Sequence, residues 1–170
     1  MTAGGHPDTQ PGNARTLLPG ELGYRFSYRH DATVPDFPDD RPLIVFDGVC
    51  VMCSGFAQFV AARDPQGHFR FATAQSGIGN ALFRHYGLDP DDFETNLLIE
   101  DGHAWGRMEA FARIMARLGF PWSLSRVVLA LPRGPRDWLY ERIARNRYRL
   151  FGRRETCVLP SAFGKDRFVA

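Results

Sequence analysis

The most constraining stretch of this sequence is Leu43-Ile44-Val45-Phe46-Asp47-Gly48-Val49-Cys50-Val51-Met52-Cys53. Leu43 to Phe46 is a short apolar run rich in β-favouring residues, and it predicts a buried strand. Asp47-Gly48 breaks that strand. Phe56, Ala57, Phe59 and Val60 then fall at helical spacing behind the two cysteines. The order is strand, tight turn, C-x-x-C, helix, and this context gives the thiols chemistry. A cysteine in the first turn of a helix faces unpaired backbone N–H groups and the positive end of the helix dipole, and both favour thiolate over thiol. Such sites lower a cysteine pKa from about 8.5 into a range of roughly 3.5–7.5. Cys50 is expected to be the exposed nucleophile, with Cys53 one turn on to close a disulfide with it. The apolar Val51-Met52 pair brings no cation, so only a moderate shift is expected at Cys50.

The remaining segments order themselves around this unit. Asp64-Pro65-Gln66-Gly67 ends the first helix, and Phe69 to Ala72 reads as a second strand. Ile78, Leu82 and Tyr86 share a helical face closed by Gly87. Asn96 to Glu100 and His103 to Gly106 flank Asp101-Gly102, the signature of a type I′ hairpin. Met108, Phe111, Met115 and Leu118 mark an amphipathic helix. Trp122 to Leu131 reads as a short apolar helix, and a long helix follows from Gly134-Pro135 to Gly152. The predicted fold is α/β: a thioredoxin-like central sheet of order β-α-β-α-β-β-α with a helical C-terminal extension. At 170 residues the chain suits one domain. Residues 41–160 are expected to form it. Residues 1–40, rich in Gly and Pro, are expected to be a disordered or extended tail and linker, with Tyr24 to Tyr28 a candidate edge strand. Residues 161–170 are expected to be a tail.

Composition narrows the function classes. Three cysteines are too few for a disulfide scaffold, so a lone C-x-x-C points to redox or metal chemistry. No apolar segment follows a basic start, so no signal peptide is expected. Val127 to Leu131, bounded by Arg126 and Pro132, is far shorter than the ~20 residues of a membrane span. The expected location is the cytoplasm. Charge is uneven: between Arg107 and Arg154 twelve arginines face only Glu109, Asp137 and Glu141. That excess admits an anionic partner. Solvated faces of two amphipathic helices explain it more simply, and neither a nucleic-acid partner nor a membrane span is expected.

Asp47-Gly48-Val49-Cys50-Val51-Met52-Cys53 resembles the D-G-x-C-x-x-C signature of the DCC family of thiol-disulfide oxidoreductases. The stretch from Leu97 to Ala110 and the stretch from Ala144 to Arg154, with Cys157 and Pro160 after it, are also similar to that family. The resemblance spans about Leu43 to Pro160. It implies a thioredoxin-like fold and dithiol–disulfide exchange with a protein or small-molecule disulfide. The candidate site residues are Cys50 as attacking thiol, Cys53 as resolving thiol, and Asp47 as proton acceptor for Cys53 or as a cap of the turn. No cofactor or metal is expected. The alternative is a non-catalytic metal- or partner-binding module using Cys50, Cys53 and Cys157. His68, His85 and His103 show no ligand spacing to a cysteine. Classical thioredoxins carry a cis-proline before the third strand. Here that place falls near Glu94-Thr95-Asn96, and it holds no proline.

Overall fold

The structure is a computed structural model. It describes residues 27–89, 95–130, 132–153, 161, 163, 164 and 166–169. Four strands, β1 (Leu43–Phe46), β2 (Arg70–Thr73), β3 (Leu97–Glu100) and β4 (His103–Gly106), form one sheet in the order β2-β1-β3-β4. β1 pairs parallel with β2 and antiparallel with β3, and β3 pairs antiparallel with β4. A parallel pair needs a crossover, and α1 (Val51–Arg63) supplies it. Asp101 (φ 50°) and Gly102 (φ 76°) both take the left-handed backbone that a type I′ turn requires, so the β3–β4 hairpin forms as the sequence predicts. This mixed α/β sheet with its C-terminal helix is consistent with a thioredoxin-like fold.

β1 is central, and all four of its residues are buried. Its alternation builds two layers. Leu43 and Val45 face Ile78, Leu82 and Phe83 of α2 (Gly77–His85), whereas Ile44 and Phe46 face Ala57 and Val60 of α1 and Ile114 of α3 (Arg107–Arg117). Beyond α3, a 3₁₀ helix covers Trp122–Ala130, where an apolar helix is expected, and α4 covers Arg133–Phe151. The second strand starts one residue later than its apolar pattern suggests. The Asp64 carboxylate holds the N–H groups of His68 and Phe69, both at 2.9 Å, and keeps them in the turn. No helix among the described residues is long and apolar enough to cross a membrane.

Three expectations need correction. The candidate edge strand ending at Tyr28 is not formed in its described part. Ser27 caps a single 3₁₀ turn, Tyr28–His30, and Tyr28 is buried against Phe37 with its hydroxyl on Asp39 at 2.6 Å. Residues 27–40 are therefore fastened to the domain rather than a free linker. The expected C-terminal tail instead lines the outer edge of β2. Phe71 donates its N–H to Arg167 O and accepts that of Val169, both at 2.8 Å, and Phe163 packs on Phe46 and Phe71. An uncovered edge strand exposes unpaired backbone groups, and this return segment satisfies them. Third, the arginines of the last helices are not all solvated. Arg142, Arg145 and Arg149 are exposed, but Arg147 is buried.

Two glycines test the packing. A Cβ on Gly79 would lie 2.1 Å from the Thr73 carbonyl oxygen, whereas one on Gly55, on the exposed side of α1, meets nothing within 4 Å. Gly79→Ala is expected to destabilise the fold by about 1–3 kcal/mol, because backbone must move. Gly55→Ala is expected to stabilise it by up to about 1 kcal/mol, from helix propensity alone. Urea melts of the two variants, compared at unchanged slope, check both signs.

Candidate active site

The backbone of β1 ends at Phe46, and the chain then turns sharply into α1. Cys50 occupies the N-cap of α1 with an extended backbone (φ −75°, ψ 121°), and its Sγ accepts the N–H of Cys53 at 3.3 Å. The cap position does for sulfur what it does for the usual oxygen caps: it satisfies a helix N–H that has no partner in the helix. The side-chain hydrogen bond from the Cys53 thiol, helped by the N–H groups of Cys53 and Met52, pulls the Cys50 pKa down to about 7. Burial and the Asp47 charge oppose that shift without reversing it. Cys53 moves the other way: donating to Cys50 and being buried both raise its pKa, so it keeps its proton. A moderate shift at Cys50 agrees with the absence of a cation in Val51-Met52.

The expectation of an exposed Cys50 is wrong. Cys50 is 0% accessible and Cys53 5%. The chain leaving α4 returns to the backbone of Cys50 and Val51. Arg153 forms an isolated antiparallel bridge with Cys50, and Val51 donates its N–H to Gly152 O at 3.5 Å, the long end of hydrogen bonding. Gly152, at φ 87°, makes the turn that brings this segment back.

Asp47 is 1% accessible, and four groups meet its carboxylate. Oδ1 accepts the N–H of Val49 at 3.1 Å and Nε2 of Gln75 at 2.7 Å. Oδ2 accepts the Tyr148 hydroxyl, and Nε of Arg147 stands 3.8 Å from it. The Gln75 amide oxygen in turn accepts the Gly48 N–H at 3.0 Å. Asp47 therefore caps the turn, as one of its two expected roles requires. It also fastens that turn to the loop after β2 and to α4. The Arg147 guanidinium donates to Ala144 O at 2.9 Å and to the Tyr148 hydroxyl at 3.2 Å. Its charge favours the Cys53 thiolate, while that of Asp47 disfavours it.

The stretch before the third strand, where thioredoxins carry a proline, includes Thr95. Its Oγ1 accepts the Arg107 N–H at 2.7 Å and shares a hydrogen bond with the Tyr140 hydroxyl at 3.2 Å. Arg107 is held in the left-handed region (φ 56°), which a non-glycine residue adopts only when its surroundings impose it, and its guanidinium meets Glu141 at 3.0 Å. Thr95 thus ties the start of β3 and the start of α3 to α4. Beside it a cavity of about 240 Å³ opens, with Cys53 in its wall.

Cys50, Cys53 and Asp47 are therefore brought together. Cys157, the other candidate, lies outside the described residues. No group of three or more His, Cys, Asp or Glu side chains placed to hold a metal ion occurs among the described residues. His85 pairs with Asp31 at 2.5 Å, and His103 bonds the Asp101 carbonyl. Sequence reasoning missed the individual roles of Gln75, Thr95, Tyr140, Arg147 and Tyr148. Arg147 and Tyr148 sit inside the Ala144 to Arg154 stretch, so a signal for them existed. Nothing local marked Gln75, whose bond to Asp47 spans 28 positions.

Comparison with known proteins identifies the family. Residues 44–153 match the family model described as DCC1-like thiol-disulfide oxidoreductase. The chain is 39% identical over 127 residues to the uncharacterized protein YuxK of Bacillus subtilis, covering 75% of this chain and 93% of that one. It is 38% identical over 122 residues to the chloroplastic DCC family protein At1g52590 of Arabidopsis thaliana, covering 71% of each. No solved structure matches. With a thiol pair at the N-terminus of the first helix and most of its described length matched, the chain belongs to the DCC1-like thiol-disulfide oxidoreductase family.

Proposed function

We propose that the chain exchanges a Cys50–Cys53 dithiol for the disulfide of a protein or small molecule. The observation that carries this reading is the hydrogen-bonded pair itself: Cys50 capping α1 with its pKa drawn down to about 7, and Cys53 beside it holding the proton. In the reducing direction, the Cys50 thiolate attacks one substrate sulfur. A Cys50–substrate disulfide forms, and the other substrate sulfur leaves as thiolate. Cys53 then loses its proton and attacks Cys50 Sγ. The Cys50–Cys53 bond forms, and the second substrate thiolate is released. Two electrons pass from the dithiol to the substrate, and the reverse sequence oxidises a substrate dithiol. Asp47 and Arg147 sit close enough to bias the proton of Cys53 in opposite senses. Attack by Cys50 requires its sulfur to become accessible, since Cys50 has no exposed surface in this structure.

The test is mass spectrometry with peptide mapping on protein equilibrated across glutathione redox buffers. Reversible loss of two hydrogens mapping to Cys50–Cys53 is expected. With Cys53→Ser, a stable mixed disulfide at Cys50 is expected. Zinc that blocks alkylation of both cysteines, with no reversible disulfide, would overturn the reading in favour of a metal-binding module.

The pH dependence follows from the sign of the Cys50 shift. A lowered pKa means the thiolate fraction, and with it the rate of exchange with a small disulfide, rises through a midpoint near pH 7 and levels off above it. An ordinary buried thiol would still be gaining rate well above pH 8. Because the Asp47 charge raises the Cys50 pKa, Asp47→Asn is expected to move that midpoint to lower pH. A midpoint moving upward would contradict the electrostatic role given to Asp47.

A further inference from the structure

The cavity beside Cys53 is part of no catalytic step derived above. It measures about 240 Å³. Its walls are Met52 and Phe56 from the first turns of α1, Phe111 from α3, and Leu139 and Ile143 from α4, with Cys53 at one side. Two guanidiniums also border it, but both are engaged elsewhere: Arg107 with Glu141 at 3.0 Å, and Arg147 with Ala144 O and Tyr148. The lining therefore offers a ligand apolar surface and little uncommitted charge. Space decides the size of the group that fits. Cavities of about 150 Å³ lined by Leu, Ile and Phe hold a benzene ring, so this one has room for a single aromatic ring or a branched aliphatic chain with a short stem. At its rim, Leu139 is 49% and Ile143 37% exposed. Apolar side chains left open beside a pocket mark a surface that a ligand covers.

The place of Cys53 restricts the occupant further. Cys53 lines the cavity and its N–H lies 3.3 Å from Cys50 Sγ, so a group seated there sits beside the resolving thiol and close to the attacking one. We propose that this cavity is the substrate subsite, and that it receives an uncharged aromatic or branched aliphatic group carried within a few bonds of the substrate's reacting sulfur. The proposal rests on the thiol–disulfide reading above and deepens it by naming the substrate class. The group belongs either to a small apolar thiol or to the residue next to a cysteine in a protein.

Reduced protein is mixed with two glutathione mixed disulfides, one carrying benzyl mercaptan and one carrying 2-mercaptoethanol, and the second-order rates of Cys50–Cys53 oxidation are compared. A preference for the benzyl probe of about tenfold or more is expected, the effect of moving one ring from water into an apolar site. A second pair of probes consists of pentapeptides joined to glutathione through a central cysteine followed by Phe or by Ser. Preference in both pairs identifies a protein substrate, and preference confined to the benzyl pair a small molecule. Ile143→Trp, which fills the cavity from its half-open rim, is expected to bring the ratio of each preferred pair close to one. Equal rates within both pairs, with the Cys50–Cys53 disulfide still forming, would overturn the subsite and leave the redox reading standing. Failure of any probe to produce that disulfide would overturn both.

Discussion

The buried carboxylate of Asp47 holds this site together. An isolated charge in a protein interior costs several kcal/mol, and removing one partner of a compensated pair commonly costs about 3–5 kcal/mol. Asp47 is nonetheless 1% accessible. The chain meets that cost from three directions: the Val49 N–H within the turn, the Gln75 amide after β2, and Tyr148 with Arg147 on α4. Each partner lies on a different segment. Satisfying one carboxylate thus fixes where β1 ends, where the following loop returns, and how α4 lies across α1. The bridge to Cys50 follows from this, because Gly152 and Arg153 begin within one helical turn of Tyr148.

The same carboxylate stands against the chemistry of the thiols beside it, since its charge disfavours ionisation of both. The balance at Cys50 is carried by short-range hydrogen bonds. Its cap geometry delivers a helix N–H at 3.3 Å, and Cys53 adds its thiol proton. Hydrogen bonds to the charged form act at contact distance, and here they outweigh burial and the Asp47 charge together. At Cys53 the hydrogen bond it donates to Cys50, burial and the Asp47 charge all act in the direction of the neutral thiol, and the Arg147 charge opposes them without reversing the shift.

What could be read in the sequence divides along the distance over which each feature is determined. The strand Leu43 to Phe46, the helix opened by the cysteines and the Asp101-Gly102 turn depend on neighbouring residues, and they form as read. So does the proximity of Asp47 to the pair, which four bonded residues guarantee. Cys50 is buried and bridged to Arg153, a hundred positions away, and no periodicity reports such a contact. The C-terminal segment looked like a tail because Phe163, Phe168 and Val169 are scattered among polar residues. Their partner is the edge of β2, and Phe71 shows only one of its two faces in the local pattern. Arg147 was hidden for the opposite reason. It sits in a run of arginines whose neighbours are exposed, and only the position of Asp47 distinguishes it.

The stretch before the third strand, which holds no proline, shows how the site is completed without the usual device. A proline before the third strand sets the backbone by its ring. Thr95 sets it by hydrogen bonds, taking the Arg107 N–H and meeting Tyr140. The arrangement involves α4, which contributes Tyr140 and the Glu141 that pairs with the Arg107 side chain. The C-terminal helix is thus no appendage to the sheet: its first half supports the stretch beside the cavity, and its second half secures Asp47 and leads into the segment bridged to Cys50. A thiol whose pKa lies near ambient pH balances thiolate fraction against intrinsic nucleophilicity. In this fold that balance is set at the start of α1, by the Cys53 thiol and the Cys53 and Met52 N–H groups.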